Sequence, residues 1–181
     1  ELLMGGLRER FNFLPDAELA IEVDPRHYED GQLEWLYAMG FRRASIGLQD
    51  VDPTVQVAIG REQTVEQTER TFNAARKAGF GSINMDLVYG LPAQTRDSFD
   101  RTVKKIVELG PDRLAIFSFA YVPTVKPHQT KLDVDAMPEP MEKAQMLADC
   151  VATLTAGGYV QVGMDHYAKK DDALATSFRD G

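Results

Sequence analysis

The amino-acid sequence predicts an α/β fold, a partial (β/α) barrel of about four to five parallel strands with flanking helices. Four apolar runs each end in a polar group: Ile21-Glu22-Val23-Asp24-Pro25, Ser45-Ile46-Gly47-Leu48-Gln49-Asp50, Ile83-Asn84-Met85-Asp86-Leu87-Val88-Tyr89-Gly90 and Ala115-Ile116-Phe117-Ser118-Phe119-Ala120-Tyr121. Between them lie helix-patterned segments that stop at Gly40, Gly79, Gly110 and Gly157-Gly158, where a left-handed cap returns the chain to the next strand. Parallel strands joined by helices bring their C-terminal ends to one face. Glu22, Gln49, Asp86 and the backbone of Ala120 are therefore expected around one cavity.

Taken in order, residues from about Glu1 to Phe13 are helix-like, and Ala17 to Val23 reads as a strand closed by Asp24-Pro25, since proline cannot donate to a ladder. Leu33, Leu36, Tyr37 and Phe41 fall at helical spacing ahead of a second strand, Ala44 to Leu48. Asp52-Pro53 is an N-cap followed by proline, and Thr64-Val65-Glu66-Gln67 is a capping box opening a helix through Ala78. A third strand, Ser82 to Val88, breaks at Gly90-Leu91-Pro92. Phe99, Val103, Ile106, Val107 and Leu109 then line one helix face before a fourth strand begins at Leu114. Pro123, Pro127, Pro138 and Pro140 punctuate residues 122–140, expected to be a long functional loop carrying His128, Gln129 and Lys131. Met141 to Ala156 reads as helix, Tyr159 to Tyr167 as a fifth strand, and the tail from Asp171 as helical. Four or five strands do not close an eight-stranded barrel, so 1–181 is expected to be one partial barrel domain, cut at both ends, from a larger one.

The 181 residues, 44% of them hydrophobic, suffice to bury roughly 70% of the unfolded surface in one core. No stretch approaches the ~20 apolar residues of a membrane span, and no basic-then-apolar leader opens the chain; a cytoplasmic protein is expected. A net charge of −8 argues against a general nucleic-acid surface. The single Cys150 permits neither an internal disulfide nor a cysteine metal cluster and is expected as a small buried apolar residue.

Glu22 and Asp86 are carboxylates at strand ends, suited to ribose hydroxyls, an amino group or acid–base work; capping or salt-bridging acids are the plainer alternative. Gln49 offers donor and acceptor, and Arg61 a planar fork for a carboxylate, although such an arginine is more often a surface ion pair. Tyr89-Gly90-Leu91-Pro92 makes a sharp turn where backbone can approach a ligand or simply reverse. Asp165-His166 suits a catalytic or orienting pair, although a lone His at a strand end is more often structural. No phosphate-binding glycine loop, Walker motif or zinc spacing is present. The residues alone imply a barrel-like enzyme portion binding a small polar cofactor at its strand ends.

The ordered series Ile21-Glu22-Val23-Asp24-Pro25-Arg26, Gly47-Leu48-Gln49-Asp50, Gly60-Arg61-Glu62-Gln63, Asp86-Leu87-Val88-Tyr89-Gly90-Leu91-Pro92, Ala120-Tyr121-Val122-Pro123 and Gly163-Met164-Asp165-His166-Tyr167-Ala168 resembles oxygen-independent coproporphyrinogen III oxidase (coproporphyrinogen dehydrogenase), a radical S-adenosylmethionine (SAM) enzyme. The resemblance runs through nearly the whole chain. It implies a barrel of the radical SAM type, SAM and a [4Fe-4S] cluster as cofactors, and oxidative decarboxylation of two propionates of coproporphyrinogen III to the vinyl groups of protoporphyrinogen IX in haem biosynthesis. By position, Glu22 would contact the cluster-bound SAM, while Gln49, Arg61, Asp86 and Ala120 would line a second SAM site. An electron donor is implied as a partner, and a monomeric parent protein is expected, although open barrel edges in a fragment would favour pairing with another copy.

The chain departs from the family in lacking its Cys-x3-Cys-x2-Cys motif and its glycine-rich SAM segment. The cluster ligands are therefore absent from this chain, no residue in it is expected to hold metal, and the isolated piece is expected to be inactive. The alternative reading is a haem-chaperone paralogue on the same domain, binding haem without turnover. It carries Glu-Ala-Asn-Pro where this chain has Glu22-Val23-Asp24-Pro25, and it lacks Gly-Met-Asp-His-Tyr.

Overall fold

Alternation along the strands decides the architecture. In the second strand Ala44, Ile46 and Leu48 are buried while Arg43, Ser45, Gly47 and Gln49 are half-exposed, and in the third Ile83, Met85 and Leu87 alternate in the same way with Ser82, Asn84 and Asp86. Period two means that one face of the sheet is apolar and the other polar. A computed structural model describes residues 2–181. In it a six-stranded sheet runs in the order β1-β2-β3-β4-β6-β5, with β1 (Ala20–Val23), β2 (Arg43–Gln49), β3 (Ser82–Tyr89) and β4 (Arg113–Ser118) parallel.

The apolar face packs under helices α1 (Leu2–Arg10), α2 (Gln32–Ala38), α4 (Val65–Ala78), α5 (Arg96–Leu109) and α6 (Pro140–Ala156), and α3 (Pro53–Ala58) follows β2. Ile46, Ile83, Met85, Leu87, Leu114 and Ile116 meet Leu33, Phe72, Phe99, Val103, Ile106 and Leu154 in one core, each fully buried aliphatic contributing about 1.5–3 kcal/mol. The helix signals operate as the sequence predicts. Asp52 accepts from the Thr54 amide and Thr64 and Gln67 form a reciprocal capping box. Gly40, Gly79 and Gly110 take the left-handed conformation that ends their helices, and Gly158 does so after α6.

Three expectations need correction. The fifth strand is a hairpin: β5 (Tyr159–Gly163) turns at Met164-Asp165 into β6 (His166–Lys169), and β6 pairs antiparallel with β4. A two-residue turn leaves the apolar alternation unbroken, so the reversal is silent in the pattern. The first strand begins at Ala20, because the Ala17 amide bonds back to the Leu14 carbonyl in a turn. The first helix ends at Arg10; Glu1, included in the sequence expectation, lies outside the described residues. The tail is helical, α7 (Ala173–Asp180), and sits on the polar face of the sheet, where Ala175 packs on Val162 and Ala168. A buried ion pair between Arg113 and Asp172, at 2.8 Å, anchors its first turn to β4. The stretch 122–140 is a loop containing one short 3-10 turn, Pro127–Lys131.

Leu87, wholly buried at the centre of the sheet, tests this layering. Leu87→Ala is expected to cost about 2–5 kcal/mol in urea unfolding with an unchanged m-value, whereas Phe178→Ala, on the outer side of α7 and 62% exposed, should stay within about 0.5 kcal/mol.

Candidate functional site

The polar face at the C-terminal ends of β1–β3 forms a cleft of about 390 Å3 lined by Glu22, Val23, Asp24, Ser45, Gly47, Gln49, Arg61 and Asp86. Four of the five residues expected at the site thus meet. Ala120 is not among the lining residues: it is exposed beyond the end of β4, and its carbonyl accepts from Gln129 Nε2 at 3.0 Å. Gln129 also accepts from the Val122 amide at 2.6 Å, which folds the 122–140 loop back over that strand end.

Arg61 reaches the cleft because the loop carrying it is clamped. The Gln56 side chain donates to the carbonyls of Asp50 and Gln63 and accepts from the Gln63 amide, while the Arg61 amide bonds to the Gln56 carbonyl. Its guanidinium donates through Nη2 to the Gly47 carbonyl at 3.1 Å and lies 3.4 Å from Asp24 Oδ2 through Nη1. Nε is buried without a partner. Burial lowers the Arg61 pKa despite the nearby Asp24. Asp24 is held at about 2, chiefly by its hydrogen bonds from Arg26, with Arg61 adding to the effect. Gly47 leaves room for the Arg61 and Gln49 side chains: a Cβ there would lie 3.2 Å from both Arg61 Nη2 and Gln49 Nε2, a tight contact that would make both side chains shift.

Asp86 is joined to its neighbours by a closed set of hydrogen bonds. Ser45 Oγ donates to Oδ2 at 3.0 Å, Asn84 Nδ2 donates to Oδ1 at 2.6 Å, and Asn84 also donates to Ser45 Oγ. Burial raises the Asp86 pKa, these bonds oppose the rise, Glu22 reinforces it and His166 counters it. Glu22 and Asp86 therefore share one field across the cleft.

Gln49 ends β2 at φ 70°, a left-handed conformation rare for a side-chain-bearing residue, where the register to β3 slips by one residue. Such a conformation costs about 1–3 kcal/mol and persists where its surroundings over-determine it. The neighbouring Asp50 supplies that constraint. Wholly buried, it accepts from the Asp52 amide (2.8 Å), Thr102 Oγ1 (2.5 Å) and Gln94 Nε2 (2.6 Å). Burial pushes its pKa up against these three bonds. Gln94 in turn accepts from the amides of Gly90 and Leu91 and donates to the Val88 carbonyl, which fixes the Tyr-Gly-Leu-Pro turn.

Sequence reasoning missed Asp50, Gln94 and Gln56, whose partners are distant in the chain. It also passed over Ser45 and Asn84, although their period-two spacing with Gly47, Gln49 and Asp86 is a readable signal for one shared polar face.

The cleft's donor set fits a zwitterionic amino acid joined to a ribose: acidic acceptors for an ammonium and for hydroxyls, and an arginine with a free Nε for a carboxylate. An iron–sulfur cluster is not fitted by this chain's residues. Cys150 is buried on α6 with its thiol pushed up to about 12 by burial, and no group of three His, Cys, Asp or Glu side chains is placed to hold a metal among the described residues.

A mostly parallel sheet with flanking helices and a polar cleft at its strand ends is an architecture of α/β enzymes, and comparison with known proteins gives the class: residues 3–106 match the model of the Radical SAM superfamily, and the chain belongs to it. Within that class it is similar to the oxygen-independent coproporphyrinogen III oxidases of Escherichia coli (47% identical over 179 residues), Pseudomonas aeruginosa (44%) and Synechocystis (40%). The solved structure of the Escherichia coli coproporphyrinogen III oxidase, titled a radical SAM enzyme, superposes with a TM-score of 0.96 at 46% identity, covering 99% of this chain and 41% of that one. An archaeal Elp3 shares the fold alone, at a TM-score of 0.60 and 16% identity over 74% of this chain and 32% of that one. The chain spans 99% of itself but 39% of the length of the first two of these curated relatives.

Two outcomes test the site. Glu22→Gln should move the Asp86 titration, followed by carboxyl 13C NMR, downwards by removing a neighbouring negative charge; no movement would mean that the two acids do not share a field. Because the folded pKa of Asp86 is raised, its contribution to stability falls as pH rises from the ordinary carboxylate value through the raised one. Asp50→Ala, which leaves three donors unpaired, should cost about 3 kcal/mol or more by urea unfolding, and a loss under about 1 kcal/mol would contradict its keystone role.

Proposed function

We propose that this chain is the SAM-binding portion of an oxygen-independent coproporphyrinogen III oxidase. The observation that carries the reading is 47% identity to the Escherichia coli enzyme across 99% of the chain, with Glu22, Gln49, Arg61 and Asp86 brought into one cleft. In the proposed reaction a substrate propionate loses one hydrogen atom, then carbon dioxide and one electron, the electron passing to a one-electron acceptor, leaving a vinyl group. Two such conversions take coproporphyrinogen III to protoporphyrinogen IX. SAM, held by the cleft residues, would supply the radical that accepts this hydrogen atom.

The work of this chain's residues is orientation and charge complementarity. Glu22 and Asp86 accept from ammonium and hydroxyl groups, and Arg61 Nε donates to a methionine carboxylate. Gln49 offers donor and acceptor at the bulged end of β2, and the Ala120 backbone, outside the cleft lining in this structure, would reach the second SAM site from the end of β4. The polar side chains are preorganised: Asp50, Gln56 and Gln94 hold their loops in place before any ligand arrives. The cluster ligands are supplied from outside this chain, so the chain alone is inactive. An external donor supplies electrons. The 122–140 loop acts as a functional cover of the single barrel domain, and the whole protein works as a cytoplasmic monomer. Among the described residues no helix is long and apolar enough to cross a membrane.

The test uses the full-length protein, reconstituted anaerobically with iron and sulfide and given SAM, a reductant and coproporphyrinogen III. Carbon dioxide release with vinyl product is expected, and Glu22→Ala or Asp86→Ala should each lower turnover by about a hundredfold or more. Haem binding without turnover would assign the protein to the haem chaperones.

A further inference from the structure

The polar face of the sheet continues past the cleft towards β6, and the row that carries Asp86 leads to a residue that the SAM-binding set leaves unused. Gly47, Asp86, Ala115 and His166 are register partners on β2, β3, β4 and β6 in turn. Side chains in register share a face, so the His166 imidazole stands two strands from Asp86, about 10 Å away, at the same end of the sheet.

His166 is firmly positioned and chemically unspent. The hairpin that carries it is tied to β4 by the Ile116 amide bonding to the Asp165 carbonyl at 2.8 Å, and its turn is fixed by Gln161 Nε2 donating to the Met164 carbonyl at 2.8 Å. Its ring meets the Phe117 ring edge-on, with centroids 6.1 Å apart. No side-chain hydrogen bond or ion pair engages the imidazole among the described residues, whereas Arg43 pairs with Glu18, Arg113 with Asp172, and Arg61 shares Asp24 with Arg26. Beside this imidazole the surface is apolar and open, with Phe117 37% and Met164 87% exposed at the strand end and hairpin tip.

An apolar ring surface next to a single free basic donor matches a ligand that is itself an apolar macrocycle carrying carboxylates. We propose that His166 is a substrate-recognition residue, donating to a propionate carboxylate of the porphyrinogen while Phe117 and Met164 lie against its pyrrole rings. The assignment rests on the reaction proposed above. In either protonation state imidazole keeps an N–H to give to a carboxylate.

The test is steady-state kinetics of the full-length, reconstituted protein with coproporphyrinogen III as the varied substrate. His166→Ala and His166→Leu should raise KM about tenfold or more with a much smaller change in kcat and unchanged SAM affinity, because a charge-assisted hydrogen bond to substrate is lost and nothing in the fold is. His166→Lys, which restores a donor, should recover most of the affinity; a variant with a donor no better than His166→Leu overturns the hydrogen-bonding role. An unchanged KM in His166→Ala overturns the assignment while leaving the proposed reaction standing. Absence of turnover in the unsubstituted protein overturns both.

Discussion

One buried carboxylate governs the geometry of the site. Asp50 lies where β2 leaves the sheet and joins four separate pieces of chain: its own strand end, the start of α3 through Asp52, the β3–α5 turn through Gln94 and the body of α5 through Thr102. Its backbone carbonyl adds a fifth, the Arg61 loop, through Gln56. A buried charge is tolerated only when its lone pairs are filled, so these elements are not independently adjustable. The left-handed Gln49 and the inward reach of Arg61 are consequences of that constraint.

Around this anchor the sheet divides its labour by face. The apolar face holds the core that makes the fold stable, and the polar face is left to chemistry, with Ser45, Asn84 and Asp86 hydrogen-bonded to one another. Arg61 pairs laterally with Asp24, which it shares with Arg26, whereas Asp86 is held by the neutral Ser45 and Asn84. The N-terminal ends of the strands are treated differently. There Arg113 and Asp172 are buried against each other, and the ion pair fastens α7 across the polar face as structure.

What was legible in the sequence was local. Capping boxes, the glycines that end helices and the apolar strand runs involve residues a few positions apart, and each predicted its element. The polar ends of three strands predicted Glu22, Gln49 and Asp86 in one cleft because parallel topology needs no further information. The rest depended on distance. Asp50 bonds to a glutamine 44 residues on and a threonine 52 residues on, and no pattern in the chain marks those pairs. The β5–β6 hairpin hid because its turn uses Gly163 and Met164 at positive φ without breaking the alternation on either side. Ala120 missed the cleft lining because Gln129, a loop residue without periodicity, claims its carbonyl.

The most direct measurement is a crystal structure of the full-length protein with S-adenosylhomocysteine, a stable analogue of SAM. The account predicts density in the cleft between β1 and β3, with a carboxylate on the Arg61 guanidinium, ribose hydroxyls on the Asp86 carboxylate, and the Asp50 network unmoved. An empty cleft with the analogue bound elsewhere, or a cleft that forms only after Gln49 and Arg61 rearrange, would contradict it.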